Sequence, residues 1–265
     1  MSDATFTPGP AYRELVELLR PPSPLLLFAE WRSIWELGSC IASLPTLMLA
    51  KVGDGHPVLV LPGFLLGDLS TSLLRRYIGW IGYESHGWEL GQNVGGVCAM
   101  REKLRERLSG IYARREKKVS IVGWSLGGVY ARDLARSMPD KVRYVITLGS
   151  PLTSDFTASR TSGVYDAVMS RAVGKMRAAD RAMLSTKLVV PTTAVFSKSD
   201  GIVISQSCLV EEGPLAENIG IRGSSHIGLA VNPAVLWAVA DRLAQEEGRF
   251  QPFDRLGPFT LAYHS

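Results

Sequence analysis

The segment Gly123-Trp124-Ser125-Leu126-Gly127-Gly128 sets a serine between two glycines. An apolar run, Val119-Ser120-Ile121-Val122, leads into it, and a helix-like run, Val129-Tyr130-Ala131-Arg132-Asp133-Leu134, follows at once. A serine on such a strand-to-helix turn sits in strained backbone and projects above the sheet, while flanking glycines leave room where side chains would strike neighbouring backbone. The helix N-terminus beneath it offers free N–H groups and partial positive charge to a developing oxyanion. The chemistry open to this arrangement is nucleophilic attack by the Ser125 hydroxyl. The plainer alternative is an ordinary serine in a tight turn.

A serine hydroxyl needs a base, and the base needs an orienting partner. After a serine on a turn of this kind, the expected chain order is an acid and then a histidine. The chain holds four histidines, His56, His86, His226 and His264. The first two precede Ser125, and His264 lies next to the C-terminus, where order is commonly poor. His226 stands in Gly223-Ser224-Ser225-His226-Ile227-Gly228-Leu229, after an expected strand and before the last expected helix, at a strand's carboxyl end, where ligand sites of parallel sheets lie. For the acid, Asp200 follows the apolar run Thr192–Phe196 in Ser197-Lys198-Ser199-Asp200-Gly201, also at a carboxyl end. Asp-Gly is a common turn pair as well, and Glu211 and Glu212 are held in reserve. An oxyanion would take one N–H from Leu126. A second would come from the loop Leu61-Pro62-Gly63-Phe64-Leu65-Leu66-Gly67-Asp68, where Gly63 permits close approach and Phe64 is the expected donor.

Placing these residues requires strands that end at them. Pro57–Leu61, Val119–Gly123, Tyr144–Leu148 and Thr192–Phe196 read as buried strands, with a short strand starting at Tyr83 and a weaker one at Ala216–Arg222. Leu69–Ile81, Val97–Ser109, Leu126–Ser137 and Pro233–Gln245 read as helices. Continuous apolar strands alternating with helices predict an α/β fold, a mostly parallel, doubly wound sheet with helices on both faces. The stretch 152–187 is helical in pattern, rich in Ala, Arg and Ser, and longer than an ordinary connection; it is expected to form a small lid. Residues 1–50 are a lead-in to the main domain, 51–265: a proline-bearing stretch with a short helix around Tyr12–Leu19, then an apolar helical segment, 24–50. Within that segment Leu27, Phe28, Trp31, Ile34, Trp35, Gly38 and Ile41 recur at helical spacing, with Glu30, Arg32 and Glu36 between them. It is expected to dock on the main domain; the alternative is a surface that touches membrane, lipid substrate or another subunit.

Composition narrows the function classes. At 265 residues, 46% hydrophobic and 20% charged, the chain suits one large α/β domain. The net charge is +4, and its basic residues are spread out, apart from clusters such as Arg114-Arg115-Glu116-Lys117-Lys118, which reads as a solvated helix end. No nucleic-acid partner is expected. Cys40, Cys98 and Cys208 are far apart and without CxxC spacing, so neither a disulfide framework nor a zinc site is implied. Buried free thiols in a reducing compartment are expected. No run is long and uncharged enough to span a membrane, and the start is unlike a signal peptide, which points to the cytoplasm.

These residues resemble the α/β-hydrolase superfamily, and within it bacterial esterases and lipases, over about residues 57–245. The resemblance is carried by Gly123-Trp124-Ser125-Leu126-Gly127-Gly128, Thr147-Leu148-Gly149-Ser150-Pro151, Ser199-Asp200-Gly201-Ile202-Val203 and Ser225-His226-Ile227-Gly228-Leu229, with Gly87-Trp88-Glu89-Leu90-Gly91-Gln92-Asn93 similar to a loop of lipase-like members. It implies the α/β-hydrolase fold with a lid matching 152–187, catalytic Ser125, Asp200 and His226, and oxyanion donors Phe64 and Leu126. One departure is Pro62-Gly63, where many lipases carry His-Gly; some members share Pro-Gly. The activity so implied is cleavage of a carboxylic ester, a small molecule with apolar parts, with no metal or organic cofactor. A thioesterase, acyltransferase or lyase using the same three residues stays open, as does a non-catalytic binding protein on this fold. The oligomeric state is left open.

Overall fold

A strand apolar at every position, such as Pro57–Leu61, can be buried only in a sheet covered on both faces. The computed structural model, which describes residues 24–152, 184 and 186–264, forms such a sheet. Its strands are β1 (Pro57–Leu61), β2 (Glu84–Gly87), β3 (Val119–Trp124), β4 (Val142–Leu148), β5 (Thr192–Ser197) and β6 (Ala216–Ile221). Among the described residues they make one six-stranded sheet in the order β2-β1-β3-β4-β5-β6, each pair parallel.

The main helices are α1 (Ser33–Ala42), α2 (Ser72–Trp80), α3 (Val97–Arg115), α4 (Leu126–Ser137) and α5 (Pro233–Leu243). Successive strand residues point to opposite faces. Val58, Val60 and Val122 therefore pack with Tyr77 and Ile78 of α2 and Leu236 and Val239 of α5. Leu59, Leu61 and Ile121 pack on the other side with Leu104 and Leu108 of α3 and Val129 and Leu134 of α4. Helix α5 opens with the Asn232 side chain accepting the Ala234 N–H at 3.0 Å and Pro233 in its first turn, so the proline brings no N–H to be satisfied and the cap meets the amide after it. The chain steps outward from β1 to β2, then returns past β1 to β3 and proceeds the other way. That reversal opens a crevice between the carboxyl ends of β1 and β3.

Several boundaries move. Helix α3 runs past Ser109 to Arg115, because Ile111 continues the buried row of Leu104 and Leu108. The basic run that follows is largely exposed. The helix expected at 69–81 divides into a 3-10 turn, Asp68–Thr71, and α2. Cys40 and Cys208 are buried free thiols, but Cys98 is exposed, since it lies off the α3 face that buries Val97 and Leu104. The lid expected over 152–187 lies outside the described residues except for 152, 184, 186 and 187, and the helix expected around Tyr12–Leu19 lies outside them too. No described helix is long and apolar enough to cross a membrane.

Residues 24–50 pack on the main domain with their polarity reversed. Phe28, Trp31, Ile34 and Trp35 are 67–79% exposed, whereas Glu30 and Glu36 are 5% and 9% exposed. The acids face the fold because loops there present donors that would otherwise be buried without partners.

Candidate active site

Strand β3 runs straight into α4 at Ser125, whose φ of 54° and ψ of −123° lie where non-glycine residues rarely rest. The surroundings hold it there. Its N–H donates to Leu148 O at 2.8 Å, and its carbonyl accepts from Gly128 N–H at 3.0 Å. The flanking glycines are required by contact: a Cβ on Gly123 would stand 2.4 Å from Gly127 O, and one on Gly127 would stand 2.3 Å from Leu61 O. Backbone from β1, β3 and α4 thus meets without intervening side chains, and the serine is raised over the β1–β3 crevice.

Asp200 ends the turn after β5. Its Oδ1 accepts the Ile202 and Val203 N–H groups at 2.8 and 2.7 Å, which leaves Oδ2 for His226 Nδ1 at 2.7 Å. Both side chains are buried. Gly149 lies under the pair: with φ at +55°, a Cβ there would come within 3.2 Å of both Asp200 Oδ2 and His226 Nδ1. Trp124 Nε1–H donates to His226 O at 3.1 Å, tying the histidine loop to the serine turn. Burial opposes charging of the imidazole, but the Asp200 carboxylate, by charge and by hydrogen bond, and the Glu30 carboxylate outweigh it and hold the His226 pKa above its ordinary value. With Nδ1–H given to Asp200, Nε2 is the free base nitrogen.

Ser125 and His226 line one cavity of about 510 Å³ with Phe64, Trp124, Ile34 and Leu37. Leu126 N–H opens α4, where the first amides have no partner within the helix. In the loop after β1, Leu65 N–H donates to Asn93 O at 2.7 Å and Leu66 N–H to Gly63 O at 3.2 Å, which leaves Phe64 as the amide nearest Gly63 not engaged by these turns. Gly63 itself lies against Ser125, a Cβ there falling 3.3 Å from the serine Cβ.

The remaining candidates fall elsewhere. Glu211 pairs with Lys187 at 2.8 Å, and Glu212 accepts from Asn218 at 3.2 Å; neither lines the cavity. His86 sits on the edge strand β2, and the His264 backbone N–H donates to Gly220 O at 2.9 Å. His56 has a superficially similar set of partners, with Nδ1 2.5 Å from Asp54 Oδ1 and Nε2 2.8 Å from Ser120 Oγ. It stands before the amino end of β1, however, and His56 and Ser120 are 0% and 1% exposed. With the imidazole and the hydroxyl sealed from solvent and only Asp54 at the surface, this is a structural latch, completed by Arg143 donating to Asp54 at 2.7 Å.

Three residues that shape the site escape sequence reasoning. Asn93 pins the Phe64 loop: its Nδ2 donates to Pro62 O at 2.9 Å, and its Oδ1 accepts from Tyr130 Oη at 3.0 Å. In the sequence only the resemblance marks its loop. Glu30 and Glu36 hold the His226 loop from the N-terminal segment. Their signal is two acids inside an apolar helical row.

No protein-family model matches the chain, and no curated protein matches it. Solved structures do. Against Aspergillus fumigatus lipase B the TM-score is 0.57 at 16% identity, covering 73% of this chain and 53% of that one; the chain spans about half that lipase's length. Against the Bacillus licheniformis lipase BlEst2 in its mature form the TM-score is 0.54 at 16% identity, covering 74% and 94%. Against a structure described with LipS and LipT, two metagenome-derived lipolytic enzymes, it is 0.53 at 15% identity, covering 73% and 94%. Likeness at this level speaks for architecture. With six parallel strands among the described residues and its serine on the β3–α4 turn, the chain has the α/β-hydrolase fold.

Proposed function

We propose that the protein is a serine hydrolase of the esterase or lipase type, cleaving carboxylic esters through an acyl-enzyme on Ser125. The observation that carries this is the Asp200–His226 pair at 2.7 Å, placed with Ser125 on one cavity. His226 Nε2 takes the Ser125 proton as Oγ attacks the ester carbonyl. The oxyanion is met by the N–H groups of Leu126 and Phe64. His226 then protonates the departing alcohol, and a water activated by the same nitrogen releases the acid. Asp200 keeps the imidazole in the tautomer that presents Nε2.

The lining supports an apolar substrate. Phe64, Leu65, Leu66 and Ile202 join Ile34 and Leu37 around the serine, and these last two belong also to the N-terminal segment. The test is a series of nitrophenyl esters of increasing acyl length, with Ser125→Ala as control. Activity is expected to rise from short to medium chains and to fall on the order of 10⁶-fold in Ser125→Ala. Wild-type hydrolysis by Ser125→Ala contradicts the proposal, and a preference for the shortest chains contradicts its lipase form.

A further inference from the structure

Three charged side chains enter the fold from residues 24–50, and all three end on the loops that carry Asp200 and His226. Arg32 donates to Ser199 O and, at 3.4 Å, to Ser224 O. Glu36 accepts from Ser224 Oγ at 2.6 Å, Ser225 N–H at 2.8 Å, Ser225 Oγ at 2.6 Å and Asn232 Nδ2 at 3.0 Å. Glu30 reaches furthest. Its Oε1 accepts from Gly201 N–H at 2.7 Å and His226 N–H at 2.9 Å, and its Oε2 accepts from Ile227 N–H at 3.0 Å.

A buried carboxylate is tolerated only when donors surround it, and buried amides are tolerated only when an acceptor meets them. Glu30 satisfies both conditions with one group. The amides it joins come from two loops that leave different strands, one next to Asp200 and the other belonging to His226. Without the carboxylate, three amides lose their acceptor and the two loops lose their common tie.

We propose that Glu30 is a positioning residue, whose carboxylate locks the Asp200 loop to the His226 loop and so holds the imidazole in line with Ser125. This rests on the reading of Ser125, Asp200 and His226 as the reacting residues. Glu30 acts through backbone, and Glu36 and Arg32 brace the same loops. Among the described residues, the ionisable groups around His226 are Asp200 from the β5 loop, with Cys208 beside it, and Glu30, Arg32 and Glu36 from the N-terminal segment. Of these, Glu30 adds to Asp200 in favouring the imidazolium.

The test measures kcat, KM, the pH profile of kcat/KM and the thermal midpoint for Glu30→Gln and Glu30→Asp in the full chain. Glu30→Gln is expected to lower kcat on the order of 10²-fold with KM little changed. The acid limb is expected to move to lower pH, because a charge that favours protonated His226 has gone. Glu30→Asp keeps the charge but is one methylene shorter; its limb should stay in place while kcat falls less. A merely structural Glu30 would lower the thermal midpoint without moving the limb or separating kcat from KM. Folded Glu30→Gln with wild-type kcat and limb overturns the proposal; should that variant fail to fold, wild-type kcat in Glu30→Asp overturns it. Ser125→Ala is measured alongside. Activity there removes the underlying reading, whereas an inactive Ser125→Ala with wild-type Glu30→Gln removes this inference alone.

Discussion

The chemistry proposed for Ser125 turns on which state of His226 dominates. Burial works against its protonation, yet Asp200 and Glu30 together hold its pKa above the ordinary value. Only the neutral imidazole can take the serine proton, so kcat/KM should rise with pH through the raised pKa. Its midpoint is expected above the ordinary histidine value of about 6.5. Asp200→Asn removes the hydrogen bond and charge named above, so it should shift that midpoint down and lower kcat on the order of 10⁴-fold. A wild-type midpoint at or below about 6.5 would contradict the assignment. Ser125 and His226 are legible in the chain because the turn demands small neighbours and because few histidines follow it. Glu30 is not. Its partners lie 171 to 197 positions away along the chain, and no local pattern announces them.

Among the elements, the junction of β3 with α4 bears the tightest constraint. Gly127→Ala would drive a Cβ to 2.3 Å from Leu61 O and 2.7 Å from Leu61 C, both backbone atoms that cannot step aside. It should cost about 1–3 kcal/mol or more, seen as a fall of several degrees in the thermal midpoint. Gly110→Ala is the internal comparison. Gly110 is exposed on α3, with nothing within 4 Å of where a Cβ would stand. Its replacement should gain about 0.5–1 kcal/mol through helix propensity. Equal effects from the two would refute the packing argument. Apolar strands and their helices are readable because burial on both faces leaves continuous hydrophobic runs. Segment 24–50 is readable as a helix but not in orientation, since its periodicity does not say which face meets donors.

Over the whole molecule, the imidazoles pull stability in opposite directions with pH. His56 is held below its ordinary pKa chiefly by burial, so its contribution is present above about pH 6.5 and is lost as pH falls toward its lowered value. His86 and His264, also lowered chiefly by burial, act with it. His226, raised, contributes fully below about pH 6.5 and loses that contribution as pH climbs through its folded value. The thermal midpoint should therefore peak near pH 6.5 and decline on both sides; a steady rise from there to pH 5 would contradict this balance. The crevice itself follows from strand order, and the alternation of strands and helices makes it foreseeable, whereas the stretch 153–183 lies outside the described residues. The central claim, that Ser125 is the nucleophile at this crevice, is tested most directly by treating the folded protein with a fluorophosphonate and mapping the adduct by mass spectrometry. A single adduct on Ser125, absent from Ser125→Ala, is the predicted result; no adduct, or one retained in that variant, would contradict it.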